Sequence, residues 1–395
     1  MRRIAAPAHL AAHPLANVPA GHRFSLYLPL WNASWGIDDE AKHDALANCC
    51  ALGDAVPVLQ ALRQRQQALA LALPAAHRLV IEAVATSPFA TGLGNAHPVE
   101  NGFAFLTPYG LPYLAASGVK GVLRRAMEEL NAEETAGIDD ALINALFGPE
   151  DPAADGSGPP LADALRRRGA LSFWDVFPAP PKGQLCVEVM TPHQGNYYQG
   201  KDLKNLSPHD AGQPKPVYFL ALPPQTKLRF IVTQMPALMP ADLRDHDWRQ
   251  ALFASFQRAF DWLGFGAKTA VGYGAMRLDL EAQAVEAARQ LAEQQRQAIE
   301  LGSQLRQQQL KNASPAERAM IEFLDQRADK NQPELNALID GLDKGRFGGL
   351  TASVAQGVKL KMQAADRWNE TSTKKNPEKD RKYQDTLKVK RRLGG

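Results

Sequence analysis

An α+β fold is predicted for the middle of the chain, and two observations carry it. Between His77 and Leu280, short apolar runs of strand length are interleaved with two stretches of helical periodicity. Each helical stretch keeps its apolar residues on one side. The order reads strand, helix, strands, helix, strand, which is a modified ferredoxin-like (RRM-type) βαββαβ core whose two helices cover one sheet face and leave the other free to bind.

The elements follow in order. Asp38 to Leu73 is rich in Ala, Leu and Gln and closes at Pro74, so residues 1–76 are expected to form a helical N-terminal lobe. HRLVIEAVAT, from His77, is a buried strand ended by Ser87-Pro88. A glycine-rich loop, GLGNAHPVENG, leads to the short strand FAFL and a Pro-Tyr-Gly turn. From Ser117 to Leu130, Val119, Val122, Leu123, Ala126 and Leu130 share one helical face, with Lys120, Arg124 and Arg125 off it. Pro149 to Pro160 reads as a surface loop. ALSFWDVFP, LCVEVM, VYFLAL and KLRFIV are then strands, with a long polar and aromatic insertion, residues 191–215, between the second and third. A second amphipathic helix carries Leu252, Phe256, Phe260 and Leu263, and the strand GAMRLDL ends the core at residue 280. Residues 281–395 are expected to form a helical, basic extension, split by RFGG; from Arg367 onward it holds roughly six more basic than acidic side chains. Such a tail is usually a solvated arm, and it is also suited to touch RNA.

Composition narrows the function class. A net charge of +3 and a pI near 8.6 neither announce nor oppose nucleic-acid binding. Cys49 and Cys50 are adjacent and Cys186 is remote, which offers no disulfide framework or paired metal-ligand spacing and points to a reducing cytoplasm. No stretch approaches a membrane span, so no membrane partner is expected.

The motif that invites a ligand is GFGAKTAVGYG, Gly264 to Gly274. A Walker A loop requires a glycine at position 261 and Gly-Lys contiguity, whereas Asp261 and the intervening Ala267 stand there. The dinucleotide fingerprint fails at Thr269. ATP and NAD lose their best candidate, and no cofactor is expected. A backbone-lined groove for a polyanion remains, with amides of Gly264, Gly266, Thr269, Gly272 and Gly274 along phosphates and Lys268 as a point charge; the alternative is a tight helix-to-strand connection needing glycine for geometry alone. At the first core helix, Ser117 as cap, the free N–H groups, Lys120 and Arg124 make a second anion-site candidate, against a plain solvated helix end. In the insertion, His193, Tyr197, Tyr198 and Lys201 combine stacking faces with cations, which suits single strands. His97, Glu100, His193, His209 and Asp210 lack any regular ligand spacing, so no metal is expected. Asp175, on the strand side of Phe173 and Phe177, is expected to support structure.

GLPYLAASGVKGVLRRAM, FWDVFP and the glycine loop together resemble the RAMP superfamily of CRISPR-associated proteins. MTPHQGNYYQGK, SPHDAGQPKPVYFLAL and GLGNAHPVENGF resemble, within it, the sixth-numbered subunit family of the Cmr complex, subtype III-B, over His77 to Leu280. This chain has Ser117-Gly118 where that family commonly has a serine pair. The resemblance implies a non-catalytic RNA-binding subunit at one end of a helical ribonucleoprotein, near the 3′ end of a guide RNA. Its implied partners are the guide RNA with its target duplex, other Cmr-type RAMP subunits and small helical subunits, and the insertion would be a protruding thumb. Relatives that cleave target RNA use an aspartate after the first strand, and Ser87 to Tyr113 holds only the acid Glu100, so no catalytic residue is expected. The competing reading from the same superfamily is a metal-independent guide-processing endonuclease with a histidine base. A plain interaction scaffold is a third.

Overall fold

The computed structural model describes residues 2–11, 17–150, 162, 167–191, 216–327, 329–372 and 376–394. They divide into two compact units, Met1–Glu293 and Gln294–Gly395. The first begins with helices α1 (Ala20–Leu26), α2 (Lys42–Ala47) and α3 (Val56–Leu71). Strand β1 (Arg78–Ala85) follows, then the small hairpin β2 (Phe105–Leu106) and β3 (Leu111–Pro112). Next come α4 (Ala116–Ala132), α5 (Asp140–Phe147), β4 (Leu171–Phe173), β5 (Cys186–Met190), β6 (Val217–Ala221) and β7 (Lys227–Gln234). Helix α6 (Trp248–Arg258) ends in a wide π turn, Ala259–Leu263, before β8 (Met276–Leu278).

Four strands form one antiparallel sheet in the order β4-β7-β1-β8. The fold is thus mixed α and β, as expected. Of the four runs expected between the helices, LCVEVM and VYFLAL leave this sheet and pair with each other as β5 and β6, with Met190 opposite Val217 at the end of the ladder.

Side-chain alternation explains the first sheet face. Ile81, Ala83 and Ala85 of β1 and Leu228, Phe230 and Val232 of β7 point to one side, where they join Val119 and Leu123 of α4 and Leu252 and Phe256 of α6 in the main core. Phe230 is its centre: its ring lies 5.3 Å from Phe256, 6.1 Å from Phe260 and 4.9 Å from Phe265, centroid to centroid. Such tilted clusters bury large apolar areas and add edge-to-face attraction.

The second face is where sequence and structure part. It was expected to be open, and the chain's own helices close it. Val80 and Ile231 pack with Ala70 of α3 and with Trp174. The Arg78 guanidinium, almost fully buried, donates through Nη1 to the carbonyls of Ala70, Leu71 and Leu73 at the end of α3. Glu82 is paired with Arg229 directly across the ladder. Where β8 stops, Gln283 takes over the ladder: its side chain accepts from the Glu82 amide at 2.9 Å and donates to the Val80 carbonyl at 3.2 Å. Arg78 Nη1, Glu82 and Gln283 draw their partners from within the chain, as burial favours, while Nε and Nη2 of Arg78 are buried without a partner among the described residues.

The helix α7 (Leu280–Asn312) begins in the first unit. The second unit contains α8 (Pro315–Gln326), α9 (Glu334–Asp343), α10 (Thr351–Ala364) and α11 (Arg381–Leu393). Met320, Leu338, Leu342, Val354, Val358 and Val389 share one small core. Ser314 and Glu317 form a reciprocal cap at the start of α8. Among the described residues no helix is long and apolar enough to cross a membrane.

Phe230→Ala should remove the centre of the aromatic cluster and cost about 3–5 kcal/mol. Urea unfolding followed by tryptophan fluorescence would measure it, and a loss under about 1 kcal/mol would mean the cluster is not the core's anchor.

Candidate nucleic-acid interface

The register places several loops at one end of the sheet. Val84 lies opposite Lys227 and Ala85 opposite Met276, so β1 ends where β7 and β8 begin. The glycine loop precedes β8 at this end and is tied there by bridges from Phe89 to Leu222 and from Ala90 to Ala267. The approach to α4 is drawn to the same end by the bridges Leu114 to Val176 and Ala179 to Lys227.

The glycine loop resolves into two parts. Gly264 and Gly274 are buried, and their amides donate to the chain's own carbonyls, those of Ala259 and Pro88, each at 2.8 Å. A Cβ on Gly274 would meet the Phe265 carbonyl oxygen at 1.9 Å, and one on Gly266, which is itself exposed, would meet the Ala90 carbonyl oxygen at 2.3 Å. These glycines let two backbone segments touch, and for Gly264 and Gly274 this corrects the expectation that their amides line a phosphate groove. Gly272 differs: it is exposed, with open space where a Cβ would stand. Between the parts, Lys268 sits in the left-handed region at φ 61° and heads the short turn Thr269–Val271. Its ammonium lies 5.5 Å over the Phe219 ring and 2.9 Å from the Met190 sulfur. No carboxylate among the described residues forms an ion pair with it. Met190 is the residue from which the insertion departs and Val217, opposite it, the one to which it returns, so Lys268 stands at the insertion's stem. His193, Tyr197, Tyr198 and Lys201 of the insertion lie outside the described residues.

At α4 the expected cap is replaced. The N-cap position is Ala115, and the free amide of Ala116 donates to the Asp175 carboxylate at 2.7 Å. Ser117 lies exposed inside the first turn and caps nothing. A carboxylate already complements the positive end of this helix, so a phosphate brought there would meet like charge. Asp175 thus has the structural role expected of it. Arg124 is likewise committed: it donates to Glu128 at 2.8 Å and to the Gly148 carbonyl at 2.6 Å, and it pairs with Glu150 at 2.9 Å. Lys120 remains exposed one turn before it. Partial desolvation of its ammonium, with Arg124 and Arg168 nearby, holds the Lys120 side chain below its usual value. A lysine crowded by cations marks a positive patch, and Arg168, which sequence periodicity had no means to place here, belongs to it.

His97 and the cysteines are occupied by structure, while His193, His209 and Asp210 lie outside the described residues. His97 stacks on Phe24 with ring centroids 3.8 Å apart; Nε2 bonds to the Phe24 carbonyl at 3.1 Å, and Nδ1 accepts from the Val99 amide at 3.4 Å. Both ring nitrogens are in use, so this imidazole is not a waiting base. Glu100 is held by the buried Lys42. Burial pushes the thiols of Cys49 and Cys186 up to about 12 and that of Cys50 to about 11, far from thiolate chemistry at neutral pH.

Residues 82–277 match the family model of the RAMP superfamily. This range of the chain is RAMP-like. The sequence is 27% identical over 233 residues to the CRISPR system Cmr subunit Cmr6 of Pyrococcus furiosus, covering 48% of this chain and 64% of that protein. It is 28% identical over 134 residues to the CRISPR system CMR subunit Cmr6 of Saccharolobus solfataricus, covering 34% of this chain and 36% of that one. The chain thus spans less than two thirds of each relative. A chain in the cryo-EM structure of the type III-B Cmr-beta bound to cognate target RNA is similar at 21% identity, over 61% of this chain and 70% of that one, with a TM-score of 0.42. The RAMP-like domain is Cmr6-like, and its matched range runs from Glu82 in β1 to Arg277 in β8, the two strands between which the insertion and glycine loop lie.

Two outcomes test this geometry. Gly274→Ala should destabilise the RAMP-like domain well beyond Gly272→Ala, whose cost should stay at about 1–2 kcal/mol for left-handed strain alone; equal melting shifts would refute the two-part loop. Burial holds the His97 imidazole below its usual 6.5 despite its carbonyl bond. The unfolded chain therefore takes up a proton that the folded ring refuses, and stability should fall as pH drops through 6.5 until the lower folded value is reached. His97→Gln should flatten that part of the curve in melts from about pH 7 to about pH 5.

Proposed function

We propose that this chain is a non-catalytic RNA-binding and assembly subunit of a type III-B CRISPR ribonucleoprotein in the cytoplasm. In this reading it grips guide-RNA sugar-phosphate near the 3′ end and caps the subunit filament. Its partners are the guide with its target duplex, neighbouring Cmr-type RAMP subunits and small helical subunits. The core, residues 77–280, is ferredoxin-like: strand order β4-β7-β1-β8 with α4 and α6 as its two helices supports that assignment. Residues 1–76 act as a lobe that closes the sheet, and 281–395 as the extension.

The observation that carries the reading is the cation Lys268, without a carboxylate partner among the described residues, at the stem of the insertion and at the same sheet end as the Lys120–Arg168 patch. Because α3 covers the second sheet face, RNA is held along this end and not across an open β surface. Lys268, Thr269 and Gly272 form the surface part of the loop, with Ser117 and Lys120 beside it. Tyr197, Tyr198, His193 and Lys201 complete the grip from the insertion.

Each phosphate that is no longer neutralised should lower the salt slope of single-strand binding by about 0.7, so Lys120→Ala with Lys268→Ala should lower it by about 1.4. Filter binding of a guide RNA across a salt series measures this, and an unchanged slope removes both residues from the site. Incubation of the purified chain with repeat RNA in the presence of a chelator tests the endonuclease reading, since specific cleavage abolished by histidine substitution would replace the proposal.

A further inference from the structure

The second sheet face, closed by α3, is not closed completely. A cavity of about 500 Å³ remains between α3 and the segment after β4. It is lined by Gln60, Arg63 and Gln64 of α3, by Lys182 and by Arg229 of β7. Its charges do not balance. The Glu82 carboxylate, almost fully buried, is shared against two guanidinium groups and is already engaged by Arg229 Nε. Glu286, which Gln67 reaches at 3.3 Å, is taken by Arg289 at 3.0 Å. Arg63 spends one nitrogen, Nη1, on the carbonyls of Phe177 at 2.6 Å and Lys227 at 3.4 Å. The rest of its fork is left to the cavity. Burial and the nearby Arg229 push the Arg63 guanidinium down to about 10, the mark of a cation held beside a cation with too little countercharge.

We propose that this cavity is a binding site for a phosphate-bearing ligand of nucleotide size, with Arg63, Arg229 and Lys182 on the phosphate and the Gln60 and Gln64 amides on the remainder. Paired guanidinium forks match phosphate oxygens in geometry as well as charge, and an excess of two positive charges matches a phosphate monoester. The volume exceeds what a lone carboxylate or inorganic ion fills, and the amides supply donors and acceptors for a base or sugar edge. None of its lining residues belongs to the glycine loop or to the Lys120 patch, so it stands independently of the proposed RNA grip. Its ligand comes either as a free nucleotide or as one nucleotide of an RNA strand.

Calorimetric titration of the full chain with inorganic phosphate, adenosine monophosphate and a short oligoadenylate tests it. Adenosine monophosphate should bind, phosphate should compete with it, and sodium glutamate at equal ionic strength should not. Arg63→Gln should weaken mononucleotide binding about tenfold or more, and Lys182→Gln by a smaller but measurable factor. Lys182 is exposed, so its variant keeps the test alive where Arg63→Gln unfolds. In the Lys120→Ala, Lys268→Ala background mononucleotide binding should persist, which separates this site from the other. Much tighter binding of the oligonucleotide, abolished by Arg63→Gln in that background, assigns the strand as source; equal affinities assign the free nucleotide. Absence of mononucleotide binding, equal binding of glutamate, or wild-type affinity in both variants would overturn the proposal.

Discussion

A central strand buried on both faces governs this structure. β1 runs from Arg78 to Ala85 with only Leu79 partly accessible. One side is satisfied by apolar packing against α4 and α6, which is the ordinary solution for a sheet of alternating residues. The other side carries Arg78 and Glu82, and its closure depends on polar groups finding partners inside the chain. A buried ion pair is a poor source of net stability, because desolvation offsets most of the attraction; it is, however, costly to break, and so it holds β1 and β7 in one arrangement, while Arg78 fastens the end of α3 to them.

From this follows where function can sit. With apolar helices on one face and α3 over most of the other, the proposed RNA grip falls at the end of the sheet, where glycine turns, the stem of the β5–β6 hairpin and the start of α4 converge. The electrostatics there are uneven. Arg124 and the amide end of α4 are neutralised locally by Glu128, Glu150 and Asp175, while among the described residues Lys120, Arg168 and Lys268 have cationic or aromatic neighbours and no carboxylate partner. Charges without countercharges are the ones that release ions when a phosphate strand arrives.

The legible part of the fold was the part written in local periodicity. β1, α4, α6 and β8 all stand near their expected positions because alternation and helical spacing are properties of neighbouring residues. The closed second face was illegible for a definable reason: β1 itself read as buried, but nothing near Arg78 and Glu82 says what covers them, and only Arg229, far along the chain, reveals that Glu82 is paired and buried. Helix α3 itself, VPVLQALRQRQQALAL, presents few large apolar residues, and it packs through Leu59, Ala70 and side-chain hydrogen bonds instead. The glycine loop shows a similar ambiguity. Crowded glycines announce that something comes close to the backbone, and composition does not say whether that is a ligand or the chain itself; for Gly266 and Gly274 it is Ala90 and Phe265. Asp175 could be read as structural from its strand position, but its service to Ala116, across so much intervening sequence, could not.

The hairpin of β5 and β6 has a consequence for how such a domain can vary. Because Met190 and Val217 face each other across the last rung, whatever is strung between them begins and finishes at one doorway, and the host need not know its size. Even if every added residue were unstructured, doubling such a segment would cost only about 0.6 kcal/mol in closure entropy. Reach and chemistry at that doorway can therefore be exchanged wholesale, as a tool is changed on a handle, while the packing behind it is left untouched.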